Sequence, residues 1–379
     1  MTVITNINDL RTLAMKRVPR SIFDYTDRGS YDETTIKSNS TDLRNMKLRQ
    51  RVMINVDNRN HQSTFVGQAA TMPVAIAPTG LAGIMHVNGE ILGAQAAEEF
   101  GVPFTLSTMS ICSIEQVREA TTKPFWFQLY VMRDRGFVEE LIQRAIDAKC
   151  SALVLTADLQ IQGQRHQDIK NGLTVPPRLT VSNAINITSK PLWCLKMLTA
   201  KSKSFGNLSE YMPNGSGMGT LSQWIAGQFD ASLNWNDVAW IRKKWPGKLI
   251  LKGILDPEDA VLALKSGVDA IIVSNHGGRQ LDGAPSAIEA LPAIIDAVGS
   301  DVEILFDSGI RSGQDVLKAL ALGAKGTFIG KAFLYGLGAM GKPGVLKVLE
   351  IIKNELDVSM ALTGTKNVSD ISPQVLWKK

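Results

Sequence analysis

The sequence has few cysteines and few histidines. Its three cysteines, Cys112, Cys150 and Cys194, are odd in number and lack CxxC spacing, which argues against a disulfide framework or a zinc site. They fit a reducing compartment. Because the 379 residues include only four histidines, we expect no transition-metal site.

The sequence also lacks targeting and membrane-spanning signals. Its first ten residues have neither the basic start nor the apolar stretch of a signal peptide, and no run approaches the roughly 18 apolar residues of a membrane span. We therefore expect a cytoplasmic protein. The excess of 41 Lys and Arg over 36 Asp and Glu is too small to indicate nucleic-acid binding. It would suit an anionic cofactor, an anionic substrate or a membrane surface.

Short apolar segments alternate with helix-forming segments along most of the chain. Eight segments predict buried strands, because each is apolar and bounded by turn residues. They cover residues 73–77, 104–107, 125–131, 152–157, 249–252, 270–274, 303–306 and 327–329. This alternation predicts an α/β protein with a (β/α)8 barrel. A doubly wound sheet would need a GxGxxG loop after the first strand, and that loop is missing.

Helix boundaries and the domain organisation follow from the same pattern. Ser113, Asp256 and Ser312 are candidate N-caps, and Gly267 and Gly323 are candidate helix ends. We expect one barrel domain over residues 1–379, with a polar, partly helical lead-in to about residue 70. An insertion at about 172–230 separates strands four and five, and we expect it on the active-site side of the barrel.

Polar side chains follow six of the predicted strands, at the ends where barrel enzymes carry their catalytic residues. In chain order they are Gln128 and Tyr130; Asp158 and Arg165; Lys252; Ser274, His276 and Arg279; Asp307, Ser308, Gly309 and Arg311; and Gly330 and Lys331. Convergence from six strands is hard to explain by chance. The loops after the last two strands are the usual phosphate site of this fold.

His276 is the candidate catalytic base. A neutral imidazole there could take a proton near pH 7, and Asp158 could stabilise the resulting imidazolium. The planar fork of Arg279 matches a carboxylate, although a structural ion pair is the alternative role. Lys252 ends an apolar strand and therefore needs a partner. The other three histidines lie in polar or loop-like contexts and are interpreted as structural.

The segment Ser274-Asn-His-Gly-Gly-Arg-Gln-Leu-Asp282 resembles a motif of the FMN-dependent 2-hydroxy-acid dehydrogenases and oxidases. This family includes glycolate oxidase, lactate and mandelate dehydrogenases, and the flavocytochromes that oxidise lactate. The segments Phe23-Asp-Tyr25, Phe127-Gln-Leu-Tyr130 and Leu251-Lys-Gly253 agree with it, and the likeness covers nearly the whole chain. The resemblance implies FMN as the cofactor and a small L-2-hydroxy acid as the substrate.

The resemblance also implies roles for individual residues. Tyr25 and Arg279, with Arg165 close by, resemble the clamp for the substrate carboxylate. Tyr130 resembles the hydroxyl that bonds the substrate oxygen, and His276 resembles the base. His276 would take the hydroxyl proton in a hydride route or the C2 proton in a carbanion route, and the sequence leaves both routes open.

The cofactor contacts follow in the same way. Lys252 resembles the residue at the N1/C2 carbonyl edge of the flavin, where its charge would stabilise the anionic reduced ring. The other implied ring contacts are Pro78, Thr79, Gly80, Ser107, Gln128, Thr156 and Ser274. The implied ribityl and phosphate contacts are Asp307, Ser308, Gly309, Arg311, Gly330 and Lys331. Lys331 replaces the arginine usual in the family and so loses its bidentate geometry toward phosphate.

Two departures bear on the substrate. Gly80 and Met109 stand where glycolate oxidases have Ala and Trp, which argues against a strict glycolate enzyme and for lactate or a bulkier acid. The fuller likeness, over residues 245–260 and 332–337, is to the bacterial L-lactate dehydrogenases that pass electrons to a respiratory cytochrome or quinone. An oxygen-using oxidase, a mandelate-type dehydrogenase, a non-redox FMN enzyme such as an isomerase, and a binding protein without turnover remain alternatives.

The insertion suggests a further partner. Residues 169–209 contain six basic residues and no acidic one, and residues 192–198 are mostly apolar. Residues of about 186–205 therefore fit peripheral contact with the inner face of a bacterial cell membrane. They fit equally well a lid that packs on its own barrel. The family resemblance implies a homotetramer.

Overall fold

The lead-in is more regular than its polar sequence suggests. A computed structural model of the chain describes residues 3–172, 180–200, 202, 204–208, 211 and 227–377. Three helices and a two-stranded antiparallel hairpin precede the barrel: α1 (Ile7–Arg17), α2 (Arg20–Asp27), α3 (Thr34–Asn45), β1 (Ser63–Phe65) and β2 (Gln68–Ala70). The hairpin, which the sequence did not predict, packs Phe65 edge-on against Trp126 inside the barrel, with ring centroids 6.0 Å apart.

The eight predicted barrel strands are all confirmed. They are β3 (Val74–Ile76), β4 (Thr105–Ser107), β5 (Trp126–Leu129), β6 (Ala152–Thr156), β7 (Lys248–Ile254), β8 (Ala270–Val273), β9 (Glu303–Phe306) and β10 (Gly326–Ile329). The strands are parallel and pair in chain order from β4 to β10, and β10 pairs with β3. Pairing of Ile76 with Phe104 brings the two ends of the sheet together. The predicted α/β fold class and (β/α)8 barrel are therefore confirmed.

Strand periodicity explains why polar groups collect at one end of the barrel. Successive side chains of a strand alternate between its two faces, so residues two apart share a face. On six strands an apolar residue fills the barrel interior, and the residue two positions later lies at the carboxyl end. These pairs are Trp126 and Gln128, Val154 and Thr156, Ile250 and Lys252, Ile272 and Ser274, Leu305 and Asp307, and Phe328 and Gly330.

Helices surround the sheet, and leucine, isoleucine and valine side chains fill the layer between them. Within the described residues these helices are α4 (Ala82–Met85), α5 (Gly89–Phe100), α6 (Ile114–Glu119), α7 (Arg135–Asp147), α8 (His166–Lys170), α9 (Val181–Thr188), α10 (Pro191–Leu198), α11 (Trp235–Lys244), α12 (Pro257–Lys265), α13 (Ala287–Val298), α14 (Gly313–Ala321), α15 (Lys331–Met340) and α16 (Lys342–Thr363). The predicted N-caps Ser113, Asp256 and Ser312 each accept a backbone hydrogen bond, as predicted.

Among the described residues, the insertion between β6 and β7 contributes helices α9 and α10. It is anchored on the outside of the barrel, since the Trp193 indole donates to the Ile84 carbonyl at 3.0 Å and the Lys190 ammonium donates to the Lys16 carbonyl at 2.7 Å. Residues 173–179 and 212–226 of the predicted insertion, and Lys201 and Lys203 of the basic segment, lie outside the described residues. The interpretation of residues 1–379 as one domain stays a prediction.

Candidate active site

A cavity of about 300 Å³ opens at the carboxyl ends of the barrel strands, within the range of small-molecule sites. Its lining includes sixteen of the predicted site residues: Tyr25, Pro78, Thr79, Gly80, Tyr130, Thr156, Arg165, Lys252, His276, Arg279, Asp307, Ser308, Gly309, Arg311, Gly330 and Lys331. The other four, Ser107, Gln128, Asp158 and Ser274, do not line the cavity. The structure thus brings sixteen of the predicted residues to one cavity. The other four are hydrogen-bonded to these residues or to one another.

His276 and Asp158 form a largely buried pair whose side chains are 19% and 14% exposed, with Nδ1 of the imidazole 2.9 Å from Oδ1 of the carboxylate. Because the carboxylate accepts a hydrogen bond from Nδ1–H, Nε2 is the ring nitrogen that can take a proton from a ligand. Gly253 makes room for this pair. A Cβ at that position would lie 2.6 Å from Cγ of Asp158, and the backbone φ of +104° is one that glycine tolerates.

Burial keeps the imidazole of His276 neutral. Removal from water lowers the pKa of His276 and the charge of Lys252 lowers it further, although Asp158 acts in the opposite direction. Burial alone would raise the pKa of Asp158, but the interaction with His276, which includes their hydrogen bond, and the charge of Lys252 outweigh burial and hold it below its usual value. The pair therefore combines a neutral base with an ionised partner at neutral pH.

Lys252 has the partners that its position requires. Its ammonium donates to Oγ of Ser274 at 2.8 Å and lies 3.3 Å from a carboxylate oxygen of Asp307. Burial would lower the pKa of Lys252, but Asp307 and Asp158 outweigh it and raise the pKa. Strand β7 extends to Ile254, two residues beyond the end predicted at Lys252. Its pairing with β8 shifts in register between Lys252 and Ile254.

Two arginines supply positive charge beside the base. The guanidinium of Arg279 lies over the Tyr25 ring, 4.7 Å from its centroid, and donates to the backbone carbonyls of Tyr25 and Arg28. Nε of Arg165 donates to the Arg279 carbonyl at 3.4 Å. Burial and the charge of Arg165 lower the pKa of Arg279 to about 10, so it stays cationic at neutral pH. Such a crowded cation is suited to an anionic ligand.

Tyr130 supplies a hydroxyl that keeps its proton. The side chain is buried, and burial together with the charge of Asp158 raises the pKa of Tyr130. Its ring packs edge-on against Phe229, with centroids 6.1 Å apart. A protonated hydroxyl at this position can donate a hydrogen bond to a substrate oxygen.

The ring side of the site fits a flavin. Oγ of Ser107 donates to Oε1 of Gln128 at 2.9 Å, which leaves Nε2 of Gln128 free. This Nε2 is buried and has no acceptor among the residues that the structure describes. Because an unsatisfied buried donor is costly, it indicates a missing acceptor, which the carbonyl groups of a flavin ring would supply.

The opposite end of the site fits a phosphate. Lys331, at the start of α15, is half-buried and donates to the Asp27 carbonyl at 2.9 Å. Burial and the charges of Arg279 and Arg311 hold the pKa of Lys331 well below its usual value. A helix N-terminus next to crowded cations binds phosphate well, since the anion relieves the repulsion. The residues present therefore fit FMN at both ends.

An apolar wall, formed by Met109, Leu159, Phe205 and Phe229, completes the cavity. The sequence analysis named Met109 but not Leu159, Phe205 or Phe229. Phe205 and Phe229 belong to the long insertion, and no local pattern indicates where they fold. Gly80 faces Met109, since a Cβ at position 80 would lie 3.3 Å from the Met109 Cβ. A methyl group there would narrow the site.

The remaining histidines have structural partners. His61 lies 2.9 Å from a carboxylate oxygen of Asp357, and Nε2 of His86 lies 3.1 Å from the Lys196 ammonium. His166 packs edge-on against the Tyr31 ring. Their interpretation as structural agrees with these contacts. No cluster of three or more potential metal ligands occurs among the described residues.

Comparison with known proteins identifies a family and several full-length relatives. The model of the FMN-dependent dehydrogenase family matches residues 14–378. An L-lactate dehydrogenase of Actinobacillus pleuropneumoniae serotype 5b is 45% identical over 375 residues, which cover 99% of this chain and 98% of the relative. An L-lactate dehydrogenase of Caulobacter sp. strain K31 is 44% identical over 377 residues, which cover 99% of both chains.

Solved structures agree with the fold. The crystal structure of the monotopic membrane protein (S)-mandelate dehydrogenase superposes with a TM-score of 0.94 at 34% identity and covers 100% of both chains. A mandelate oxidase variant in complex with (S)-mandelic acid gives a TM-score of 0.84 at 33% identity, covering 100% of this chain and 99% of the other. The resemblance predicted from the sequence is confirmed.

Proposed function

The chain belongs to the FMN-dependent dehydrogenase family, and on that premise we propose that it oxidises L-lactate to pyruvate with His276 as the base. The observation that carries the proposal is the pair of His276 and Asp158, because His276 lines the same cavity as the cations Arg279 and Arg165. This arrangement offers a base beside a carboxylate site, as oxidation of a 2-hydroxy acid requires. The names of the full-length relatives support L-lactate.

Each side chain has one task in the reaction. The carboxylate of the substrate binds Arg279, with Tyr25 and Arg165 at its side, and Tyr130 donates to the oxygen at C2. Nε2 of His276 takes the proton, and the ionised partner stabilises the imidazolium. The protein thereby orients C2 and removes one proton, which comes from the hydroxyl in a hydride route or from C2 in a carbanion route.

FMN, when bound, supplies the acceptor for the two electrons that leave C2 of the substrate. The ring would be held by Pro78, Thr79, Gly80, Ser107, Gln128, Thr156, Lys252 and Ser274. The ribityl chain and phosphate would be held by Asp307, Ser308, Gly309, Arg311, Gly330 and Lys331. The charge of Lys252 then favours the electron-rich form of the ring.

A mandelate-type dehydrogenase is the second candidate. The space beside Gly80 and Met109 favours it, as do the solved mandelate enzymes that share the fold. Against it stands the apolar wall, because the rings of Phe205 and Phe229 line the cavity and limit the room for a phenyl group. We therefore place L-lactate first.

The experiment that tests the function is an anaerobic stopped-flow screen of the purified holoenzyme. L-lactate should bleach the flavin faster than (S)-mandelate or glycolate at equal concentrations. Reoxidation by a quinone or a cytochrome should then outpace reoxidation by oxygen. No bleaching by any 2-hydroxy acid would contradict the function, and fast reoxidation by oxygen would identify an oxidase.

We also propose that the enzyme docks on an anionic membrane surface, where it would pass electrons to a respiratory acceptor. None of the described helices has the length and apolarity to span a bilayer. An exposed apolar surface, the insertion face, consists of Val181, Ile185, Leu192, Leu195 and Leu198 on α9 and α10, each more than 60% exposed. Lys190 and Lys196 flank it, which suits an interface with anionic lipid. The homotetramer stays a prediction.

The insertion face can be tested with vesicles. Replacing Leu195, which is 63% exposed, by aspartate should weaken co-sedimentation with vesicles that contain anionic phospholipid by roughly tenfold, because a leucine no longer enters the interface. Leu281→Asp is the matched control, since Leu281 is also exposed, at 72%, but lies outside the insertion. Equal binding of both variants and the wild type would favour a lid that packs only on its own barrel.

A further inference from the structure

The insertion reaches the end of β4 through two residues. Residue 206 must be small, because a Cβ there would lie 2.5 Å from the Ser113 nitrogen and 2.8 Å from the Ile111 oxygen. The Gly206 nitrogen donates to the Ser110 oxygen at 3.1 Å. The next residue, Asn207, is completely buried. Gly206 and Asn207 of the insertion thus pack closely against the loop that carries Met109.

The side chain of Asn207 is bonded on both of its polar atoms. Nδ2 donates to Oγ of Ser110 at 3.0 Å and to the carbonyls of Ser107 and Thr108 at 3.3 and 3.4 Å. Oδ1 accepts from the Ile114 nitrogen at 2.9 Å, at the start of α6. One amide therefore ties the insertion to the whole turn after β4.

This turn also carries groups of the active site. Oγ of Ser107 accepts from the Met109 nitrogen at 3.2 Å and donates to Gln128. The Thr108 hydroxyl donates to the Gln128 carbonyl at 2.7 Å and accepts from the Tyr130 nitrogen at 3.2 Å. Asn207 therefore supports the backbone from which Met109 projects.

We propose that Asn207 is a positioning residue that sets the apolar wall and with it the substrate's side-chain size. Asn207 holds Met109 in place through the turn after β4. It holds Phe205 in place because Phe205 lies two residues before Asn207 in the same closely packed segment. Asn207 itself does not line the cavity. The inference rests on the proposed function only in naming 2-hydroxy acids as substrates.

The test compares small and bulky ligands. Asn207→Asp removes the donor and points a buried negative oxygen at the Ser107 and Thr108 carbonyls, which should displace the turn. We expect KM for L-lactate to rise and the preference for L-lactate over (S)-mandelate to fall on the order of tenfold, while kcat changes little. Asn183→Asp is the matched control, since Asn183 lies in α9 of the same insertion and away from the cavity.

Binding titrations separate this inference from the proposed function. The ratio of dissociation constants for pyruvate and phenylglyoxylate, read from the flavin absorbance, needs no turnover and should shift toward the bulkier acid in Asn207→Asp. A fall in Tm with an unchanged ratio would overturn the proposal and leave Asn207 a purely structural residue.

A second pair of variants tests the proposal in case Asn207→Asp fails to fold. Asn207→Ala adds no buried charge and should shift the ratio in the same direction. If the residue acts through the wall, Asn207→Ala should shift the ratio less in a Phe205→Ala background than in the wild type. An equal shift in both backgrounds would overturn the proposal.

Discussion

Replacing His276 by asparagine is expected to slow reduction of the bound flavin by L-lactate by about 10²–10⁴-fold. Asparagine can still donate a hydrogen bond to Asp158, but it offers no nitrogen that accepts a proton. FMN should stay bound, because the imidazole is bonded to Asp158 rather than to the residues that fit the phosphate. The measurement is anaerobic stopped-flow absorbance at saturating L-lactate, with FMN content determined beforehand.

The control is His166→Asn, which alters a histidine that packs on Tyr31 outside the cavity and should leave the rate nearly unchanged. The pH profile provides a second check. Burial lowers the pKa of His276 from 6.5, so kcat/KM should fall only as the pH drops through that lowered pKa, where the imidazole becomes protonated. Asp158→Asn removes a charge that raises this pKa and should move the fall to still lower pH. Near-normal reduction in His276→Asn would contradict the assignment.

The barrel could be predicted from the sequence because each strand is specified locally. Every strand is an apolar run between turn residues, and the helix boundaries at Ser113, Asp256 and Ser312 are marked by side chains that bond their own helices. The same two-residue period that buries Ile250 places Lys252 at the carboxyl end. Fold and catalytic rim therefore follow from one pattern.

The hairpin before the barrel could not be predicted, because distant contacts decide it. Its turn places Val66 at a φ of +52°, a conformation that β-branched residues rarely adopt. The Val66 nitrogen donates to a carboxylate oxygen of Glu303 at 2.8 Å, and Phe65 fills the barrel interior. A three-residue strand with such a turn carries no sequence signal, and tertiary packing overrides the local preference.

The same distinction divides the site. His276, Asp158 and Lys252 could be placed because they lie at or just after the carboxyl ends of apolar strands. Phe205 and Asn207 could not, since they belong to an insertion whose path no periodicity describes. The residues that we propose for the reaction are thus encoded locally, whereas the residues that we propose to determine substrate size depend on how the insertion packs.

Replacing Arg279 by methionine is expected to raise KM for L-lactate by about 10–100-fold and to lower kcat as well, because a charge-assisted bond to the carboxylate contributes about 1.5–3 kcal/mol. Methionine fills a similar volume without charge. Arg279→Lys should recover part of the loss, since lysine keeps the charge but lacks the planar fork. Steady-state kinetics and titration with the dianion oxalate, read from the flavin absorbance, measure the two effects.

The structure also predicts how this loss differs from simple unfolding. Arg279 bonds the carbonyls of Tyr25 and Arg28 and lowers the pKa of Lys331, so its removal should loosen the end of α2 but relieve the crowding of cations at the phosphate end. FMN affinity should be largely kept, because Lys331 and Arg311 still offer cations to the phosphate, while oxalate affinity falls. The control Arg20→Met removes an exposed arginine of α2 and should change neither the FMN affinity nor the oxalate affinity. Parallel losses of FMN and oxalate binding in Arg279→Met would contradict a substrate-binding role, because they would indicate collapse of the whole site.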